Sequence, residues 1–202
     1  MPITRTQGPS GGASVVSQAV IHLRRSNTPF GHLHLMSAPV QPKITQPLPL
    51  YSLQLDDIVD EDFPQRVRFV GWRYLVIDSG SIAAADVGPV GDKFHRLMHG
   101  RHAAYLMSAV KFAEDNFGTA TDDYKLRILE IPVLYVAALW LLGSDDKFIP
   151  FLDASQEVAQ PGSEFAPQID ESFIFRIVEM ANAKRDSMKK QPPPDTDRER
   201  SN

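Results

Sequence analysis

Three histidines in the middle of the chain have the spacing that a metal centre on one helix would need. His95, His99 and His102 are separated by four and then three residues, which places the imidazoles on one face of an α-helix. Neutral imidazole is the commonest protein ligand for zinc, copper or nickel, and three protein ligands leave the open position that a catalytic metal uses. One hypothesis is therefore a metal-dependent enzyme that combines this helix face with an acidic residue such as Glu130.

A polar helix face explains the same histidines more simply. The first and third imidazoles lie about 10 Å apart along a helix, so only two of them with a distant carboxylate hold one ion easily. The motif H-E-x-x-H, in which a glutamate is the general base, is absent from the sequence. Arg96 and Arg101 flank the histidines, which is typical of a partly exposed face. We therefore favour the polar face, expect no cofactor, and keep a transition metal as the alternative.

Other catalytic patterns are missing or stand where no site is expected. The sequence contains neither a G-x-x-x-x-G-K-[ST] phosphate loop nor a G-x-G-x-x-G fingerprint. Ser10 has glycine neighbours, but it lies in a predicted disordered arm where no base is held beside it. Glu130 interrupts an apolar segment, so we expect it to face water, to pair with Arg68 or Arg127, or to be functional.

Composition narrows the class of protein. The 202 residues are enough for one domain with tails, and the absence of Cys excludes disulfides, thiolate metal sites and thiol nucleophiles. A cysteine-free chain is compatible with a reducing cytoplasm, which is the predicted location. The net charge of −4 argues against nucleic acid as a partner. The most apolar run, Ile131–Leu142, is too short to cross a bilayer, so no membrane association is predicted.

The N-terminal part differs in charge and composition from the rest. Residues 1–55 carry four basic residues and no acidic one, a net charge of +4, so the remaining residues carry −8. Residues 29–50 are apolar and punctuated by proline, which favours extended chain. We expect this segment to dock onto its own body or onto a partner. The candidate partner-binding residues are Leu33, Leu35, Met36, Pro47, Leu48 and Leu50.

A helix-or-strand segment is predicted within residues 1–50, and the body, which begins near Tyr51, is predicted to start with a hairpin and a long helix. Ala13–Arg25 fits either a short helix or a strand. Val67–Ile77 and Ile82–Val87 are rich in β-branched residues and flank a polar turn, which predicts a β-hairpin. Lys93–Phe117 is predicted to be one long helix that contains the three histidines and ends at Gly118.

The second half repeats this order of elements. Leu126–Leu142 is predicted to be a core strand that turns at residues 143–146 into Lys147–Leu152, a second hairpin. A buried helix that starts at Pro132 and ends at Gly143 is the competing interpretation. Asp170–Met188 is predicted to be a helix, and residues 189–202 a disordered tail.

These elements predict an α+β fold with an antiparallel sheet built from two β-hairpins and two packed helices on one face. The single domain spans residues 51–188, and a Pro-rich, acid-free, extended arm spans residues 1–50. The favoured function is a non-enzymatic protein-binding or assembly module, whose partner is another protein or a second copy of the chain. The alternatives are the metal-dependent enzyme and a small acidic inhibitor or immunity-type protein.

Overall fold

Three α-helices and one eight-stranded sheet make up the part of the chain that the computed structural model describes, residues 3–25, 42–78, 81–119, 123–153 and 165–190. The helices are α1 (Gly12–Arg25), α2 (Arg101–Phe117) and α3 (Phe173–Lys189). The strands are β1 (Lys43–Ile44), β2 (Leu48–Ser52), β3 (Arg68–Asp78), β4 (Ser81–Val87), β5 (Phe94–His99), β6 (Lys125–Ile131), β7 (Val136–Leu142) and β8 (Lys147–Asp153). The predicted mixed α+β class is confirmed.

Two antiparallel halves joined by one parallel pair form the sheet. The strand order is β5-β4-β3-β2-β6-β7-β8, with β1 paired to the far end of β3. The joint is β2 against β6, where Leu50 lies opposite Ile128. The sheet is therefore larger than the predicted pair of hairpins. The boundary predicted at Tyr51 falls inside β2, and α1, β1 and most of β2 come from the residues predicted to form an arm.

The sheet curls around α2. This helix packs against β4 and β5 at one end of the strand order and against β7 and β8 at the other. A flat sheet would hold β5 and β8 about 29 Å apart at the usual strand spacing, whereas a helix is about 10 Å wide. Both ends of the sheet reach one helix only because the sheet is strongly bent. Its concave face holds α2, and its convex face looks outward.

Helices cover both faces because both faces of the central strands are apolar. On β6, Ile128 belongs to the concave core and Leu129 to the convex one. Residues of α2 such as Leu106 fill the concave side. On the convex side α1 covers β3 and β4 through Val16, and α3 covers β7 and β8 through Phe173. The expectation of two helices on one face was wrong, since α2 and α3 lie on opposite faces.

The predicted long helix over Lys93–Phe117 was wrong in its first third. Residues 94–99 form β5, which pairs with β4 so that Met98 lies opposite Ala84. Gly100, with φ of +76°, separates this strand from α2. A glycine in that conformation ends a strand readily, and the sequence interpretation had placed it in the helix interior.

The structure also decides between helix and strand for two other segments whose sequence allowed both. Ala13–Arg25 is helical, within α1. The segment predicted to be either one long strand or a buried helix is instead two strands, because Pro132 starts a short 3₁₀ turn between β6 and β7. Tyr135 closes that turn with φ of 54°.

The structure also contains no helix, within its described ranges, that is long and apolar enough to cross a membrane.

A β-bulge in β3 changes which side chains share a face. Leu50 lies opposite Gly71 and Tyr51 opposite Phe69, so Val70 is an extra residue in β3. Gly71 has φ of +152°, and a Cβ at this position would lie 2.2 Å from the backbone oxygen of Val87. The bulge brings Phe69 to the same convex face as Trp72, although three-residue spacing normally puts two strand residues on opposite faces.

We expect the substitution Gly71→Ala to lower the free energy of unfolding by about 2 kcal/mol, because the added methyl group meets the Val87 carbonyl and the backbone conformation disfavours a side chain. Urea denaturation measures this change. Gly11→Ala is the control, since a Cβ there has no atom within 4 Å. Equal losses in the two variants would contradict a required glycine in the bulge.

Candidate functional site

The three histidines predicted to share a helix lie on two elements and on two sides of the sheet. His95 and His99 belong to β5, and only His102 belongs to α2. His99 lies opposite Ala83, a residue of the convex core, whereas the ring of His102 is on the concave side. Among the described residues no three His, Cys, Asp or Glu side chains come together as a metal-binding group. The helical geometry behind the metal hypothesis is therefore absent.

Four charged side chains meet on the concave face beside the start of α2. Arg73 donates to both oxygens of Asp86, at 2.6 and 2.7 Å, and lies 2.6 Å from Glu130. Arg96 also contacts both acids, each at 2.6 Å. We call these residues the four-charge cluster. Arg73 is fully buried and Arg96 about half exposed, so the cluster extends from the core to the surface.

Curvature explains why Glu130 has partners that the sequence did not predict. Neither Arg68 nor Arg127 is its partner; instead Arg73 and Arg96 hold it. Arg96 is on β5 and Glu130 on β6, four strand spacings away, about 19 Å in a flat sheet. Only the bent sheet brings them into contact. The two positive and two negative charges compensate one another, so the cluster stabilises the bend and leaves no excess charge for a ligand.

His102 lies next to this cluster in its neutral form. Its Nε2 is 3.3 Å from an Arg73 nitrogen and 3.9 Å from Glu130. Burial, followed by the positive charge of Arg73, lowers the pKa of His102 below its ordinary value of 6.5. The neutral ring accepts a hydrogen bond from Arg73 at Nε2. An imidazolium would face two guanidinium groups instead.

The convex face carries an open cleft of about 550 Å³ between α1 and α3. Its floor is aromatic and apolar, its wall is the segment before α1, and its remaining lining is basic. The lining residues are Thr4, Arg5, Thr6, Gln7, Pro49, Tyr51, Phe69, Trp72, Lys125 and Arg127. This volume lies within the range of ordinary ligand pockets.

A continuous row of aromatic rings crosses this face, and three of its rings form the floor of the cleft. Successive ring centroids lie 4.6 to 6.1 Å apart, the spacing of favourable aromatic pairs. The row consists of Trp72, Phe69, Tyr51, Trp140, Phe148 and Phe173, and we call it the aromatic row. The indole of Trp72 is fixed by a 3.0 Å hydrogen bond to the Pro89 carbonyl. Phe69 is the most open member of the row, with 39% of its surface exposed.

Two cations of the cleft have no acidic partner in the described part of the chain. The guanidinium of Arg127 lies 4.8 Å from the centre of the Tyr51 ring and 5.2 Å from that of Trp140. Lys125 stands two residues earlier on the same face of β6. Arg5 is different, because it pairs with Glu114 on α2. The described lining contains no carboxylate, so the cleft is positively charged in a chain of net charge −4.

The structure describes only three of the six predicted partner-binding residues. Leu48 and Leu50 are 2% and 5% exposed and lie in the concave core of their own chain, because β2 is a central strand. Another chain does not reach them there, so they dock on their own body. Pro47 is half-buried beside Gly8. Leu33, Leu35 and Met36 lie outside the described residues, and their partner contact stays a prediction.

The cleft was not predicted from the sequence, although two signals pointed to it. Tryptophan residues usually anchor a core or an interface, and Trp72 and Trp140 both belong to the aromatic row. Gly71 in a strong strand indicates a bulge, but its effect on Phe69 depends on the pairing with β2.

Compared with models of protein families, with curated proteins and with solved structures, the chain matches none.

We expect Asp86→Ala to destabilise the protein by about 3–5 kcal/mol, since it removes a partner of the fully buried Arg73. The control is Asp145→Ala, which breaks the exposed pair with Lys147 and costs at most about 1 kcal/mol. Denaturant unfolding of both variants tests this. A small loss for Asp86→Ala would show that the buried ion pair with Arg73 contributes little to stability.

The free energy of unfolding is expected to fall as the pH drops below 6.5. In the unfolded chain His102 takes up a proton at its ordinary pKa, whereas in the folded chain its pKa is lower, so acid favours the unfolded state. A second loss is expected below pH 3.8. Burial raises the pKa of Asp86, but hydrogen bonds and charge from Arg73 and Arg96 outweigh it and lower that pKa. Denaturant midpoints at pH 7.5 and 5.5 measure the first effect. His102→Gln should show a smaller drop than the wild type, and an equal drop would contradict the assignment.

Proposed function

We propose that the chain is a non-enzymatic protein-binding module whose binding surface is the convex cleft, and that the cleft receives an acidic segment of a protein partner. The observation that carries this proposal is the pair of uncompensated cations, Lys125 and Arg127, beside a half-exposed aromatic floor. The expected cytoplasmic setting and the choice between another protein and a second copy stay predictions.

The composition of the cleft supports binding of a protein segment. Tryptophan, tyrosine and arginine are the residues that most often carry binding energy at protein interfaces, and Trp72, Tyr51 and Arg127 lie side by side here. An arginine that already stacks on aromatic rings gives a carboxylate a pre-positioned fork of donors. The cleft is also open along the surface, as an extended segment requires.

Charge favours an acidic occupant over a neutral or basic one. Coulomb attraction from Lys125 and Arg127 acts on any carboxylate that enters, and no described acidic side chain of the lining opposes it. The chain as a whole repels acidic partners through its net charge of −4. Attraction therefore depends on the local positive charge of the cleft, which gives the contact its position on the surface.

The chemistry of the lining favours binding over catalysis. The described lining residues offer hydroxyl, amide, guanidinium, ammonium and aromatic groups. None of these is paired with a base that would activate a nucleophile. The four-charge cluster, which does contain paired acids and bases, lies on the other face and is occupied by its own ion pairs.

Replacement of Arg127 by Glu is expected to weaken binding of an acidic peptide at least about tenfold, or about 1.4 kcal/mol. The probe is a fluorescein-labelled pentapeptide with a central phenylalanine between two pairs of glutamates, and fluorescence anisotropy of the full chain gives Kd. Lys125→Glu tests the same charge at an exposed position that contributes less to packing. Higher salt should weaken wild-type binding.

Lys111→Glu is the matched control, because Lys111 is exposed on α2, on the opposite side of the sheet. It makes the same change of net charge and should leave Kd within about twofold. A lysine-flanked version of the peptide should not bind. Equal weakening by Lys111→Glu and Lys125→Glu, or no binding of the acidic peptide to the wild type, would overturn the proposal.

A further inference from the structure

The half-exposed ring of Phe69 indicates what the acidic segment must carry besides charge. Four other rings of the aromatic row are buried, Trp72 at 9%, Trp140 at 2%, Phe148 at 3% and Phe173 at 1% exposure, and Tyr51 is intermediate. Phe69 remains 39% exposed in the middle of the row's open section. Phe69 is therefore the most exposed aromatic ring among the described lining residues of the cleft.

The bulge shows that this exposure depends on a specific backbone arrangement. If β3 were regular, with Val70 paired like its neighbours, alternation along the strand would turn Phe69 to the concave side. The bulge instead places its ring 5.4 Å from Trp72 and 5.6 Å from Tyr51. Bulges are frequent beside binding sites, where they redirect a side chain. Here the redirected side chain is a ring that its own chain leaves half uncovered.

Neighbouring groups already cover the other approaches to this row. Arg127 lies over the Tyr51 ring at 4.8 Å, and Trp72 is fixed through its hydrogen bond to Pro89. A ligand ring that enters the cleft therefore meets Phe69 first. Aromatic rings prefer edge-to-face or offset contact with such a neighbour over contact with aliphatic groups of similar size.

The spacing of the two cations sets the distance between the charges of the segment. Lys125 and Arg127 are two residues apart on one face of β6, so their Cα atoms are separated by about 7 Å. Carboxylates at alternate positions of an extended peptide have the same separation. Two such acids therefore match the two cations when the segment runs along β6.

From these observations we infer that the cleft recognises an extended acidic segment in which an aromatic side chain accompanies two carboxylates at alternate positions, with the ring against Phe69 and the carboxylates on Lys125 and Arg127. This inference rests on the proposed function and names the chemistry of its partner. The aromatic ring gives selectivity among acidic segments, which charge alone does not provide.

Three labelled peptides of equal charge test the ring. Each has glutamates at both flanks, and the central residue is phenylalanine, cyclohexylalanine or alanine. We expect the phenylalanine peptide to bind the full-length protein about three- to tenfold more tightly than the alanine peptide, and more tightly than the cyclohexylalanine peptide of similar size. In the variant Phe69→Leu the preference for phenylalanine should disappear, while the salt dependence of binding remains.

Val90→Ala is the control, because Val90 is an exposed apolar residue outside the cleft lining. It should keep the ranking of the three peptides. Equal affinities for all three peptides in the wild type, with binding still lost in Lys125→Glu, would overturn the aromatic requirement and leave the acidic-segment proposal standing. Absence of binding by all three peptides would overturn both.

Discussion

Wrapping of the sheet around α2 is the constraint on which the rest of the structure depends. One helix meets both ends of a seven-strand path, so the concave face becomes a closed apolar core. The bend also brings Arg96 and Glu130 within 2.6 Å, although four strand spacings separate them. The four-charge cluster and the bend therefore support each other. A flat sheet would separate Arg96 from Glu130, whereas Arg73 lies only two strand spacings from Glu130, about 10 Å, and would still reach it.

The same bend determines what the outer face presents. On this face α1 covers β3 and β4 and α3 covers β7 and β8, and the cleft lies over the central strands. The bulge at Val70 and Gly71 places the ring of Phe69 on the floor of that cleft, and β6 contributes two cations beside it. One side of the sheet thus holds compensated charge in its interior, and the other holds uncompensated charge at an accessible position. This contrast distinguishes the four-charge cluster from the cleft, which is the candidate binding surface.

Local sequence patterns predicted the elements whose residues carry their own signal. The β-branched runs of β3 and β4 and the helical segment of α3 were recognised within a few residues of their bounds. The segment from Phe94 to His99 was not, because its histidines, arginine and methionine fit a helix as well as an edge strand. The partners of Glu130 were missed because Arg73 and Arg96 approach it through curvature, a property of the whole sheet. The cleft was missed for a related reason: Phe69 and Tyr51 come together only through a pairing register.

The parallel joint between β2 and β6 has a consequence for the order in which the protein forms. Leu50 pairs with Ile128, so the two halves of the sheet meet only after the intervening chain has been synthesised. Ribosomes add roughly 5–20 residues per second, which leaves the open edge of β2 without its neighbour for several seconds. During that time the nascent first half is a sheet with an unpaired central edge, a known route to association between chains. Once β6 has been synthesised it pairs with β2, and this edge is then no longer open to association with another chain.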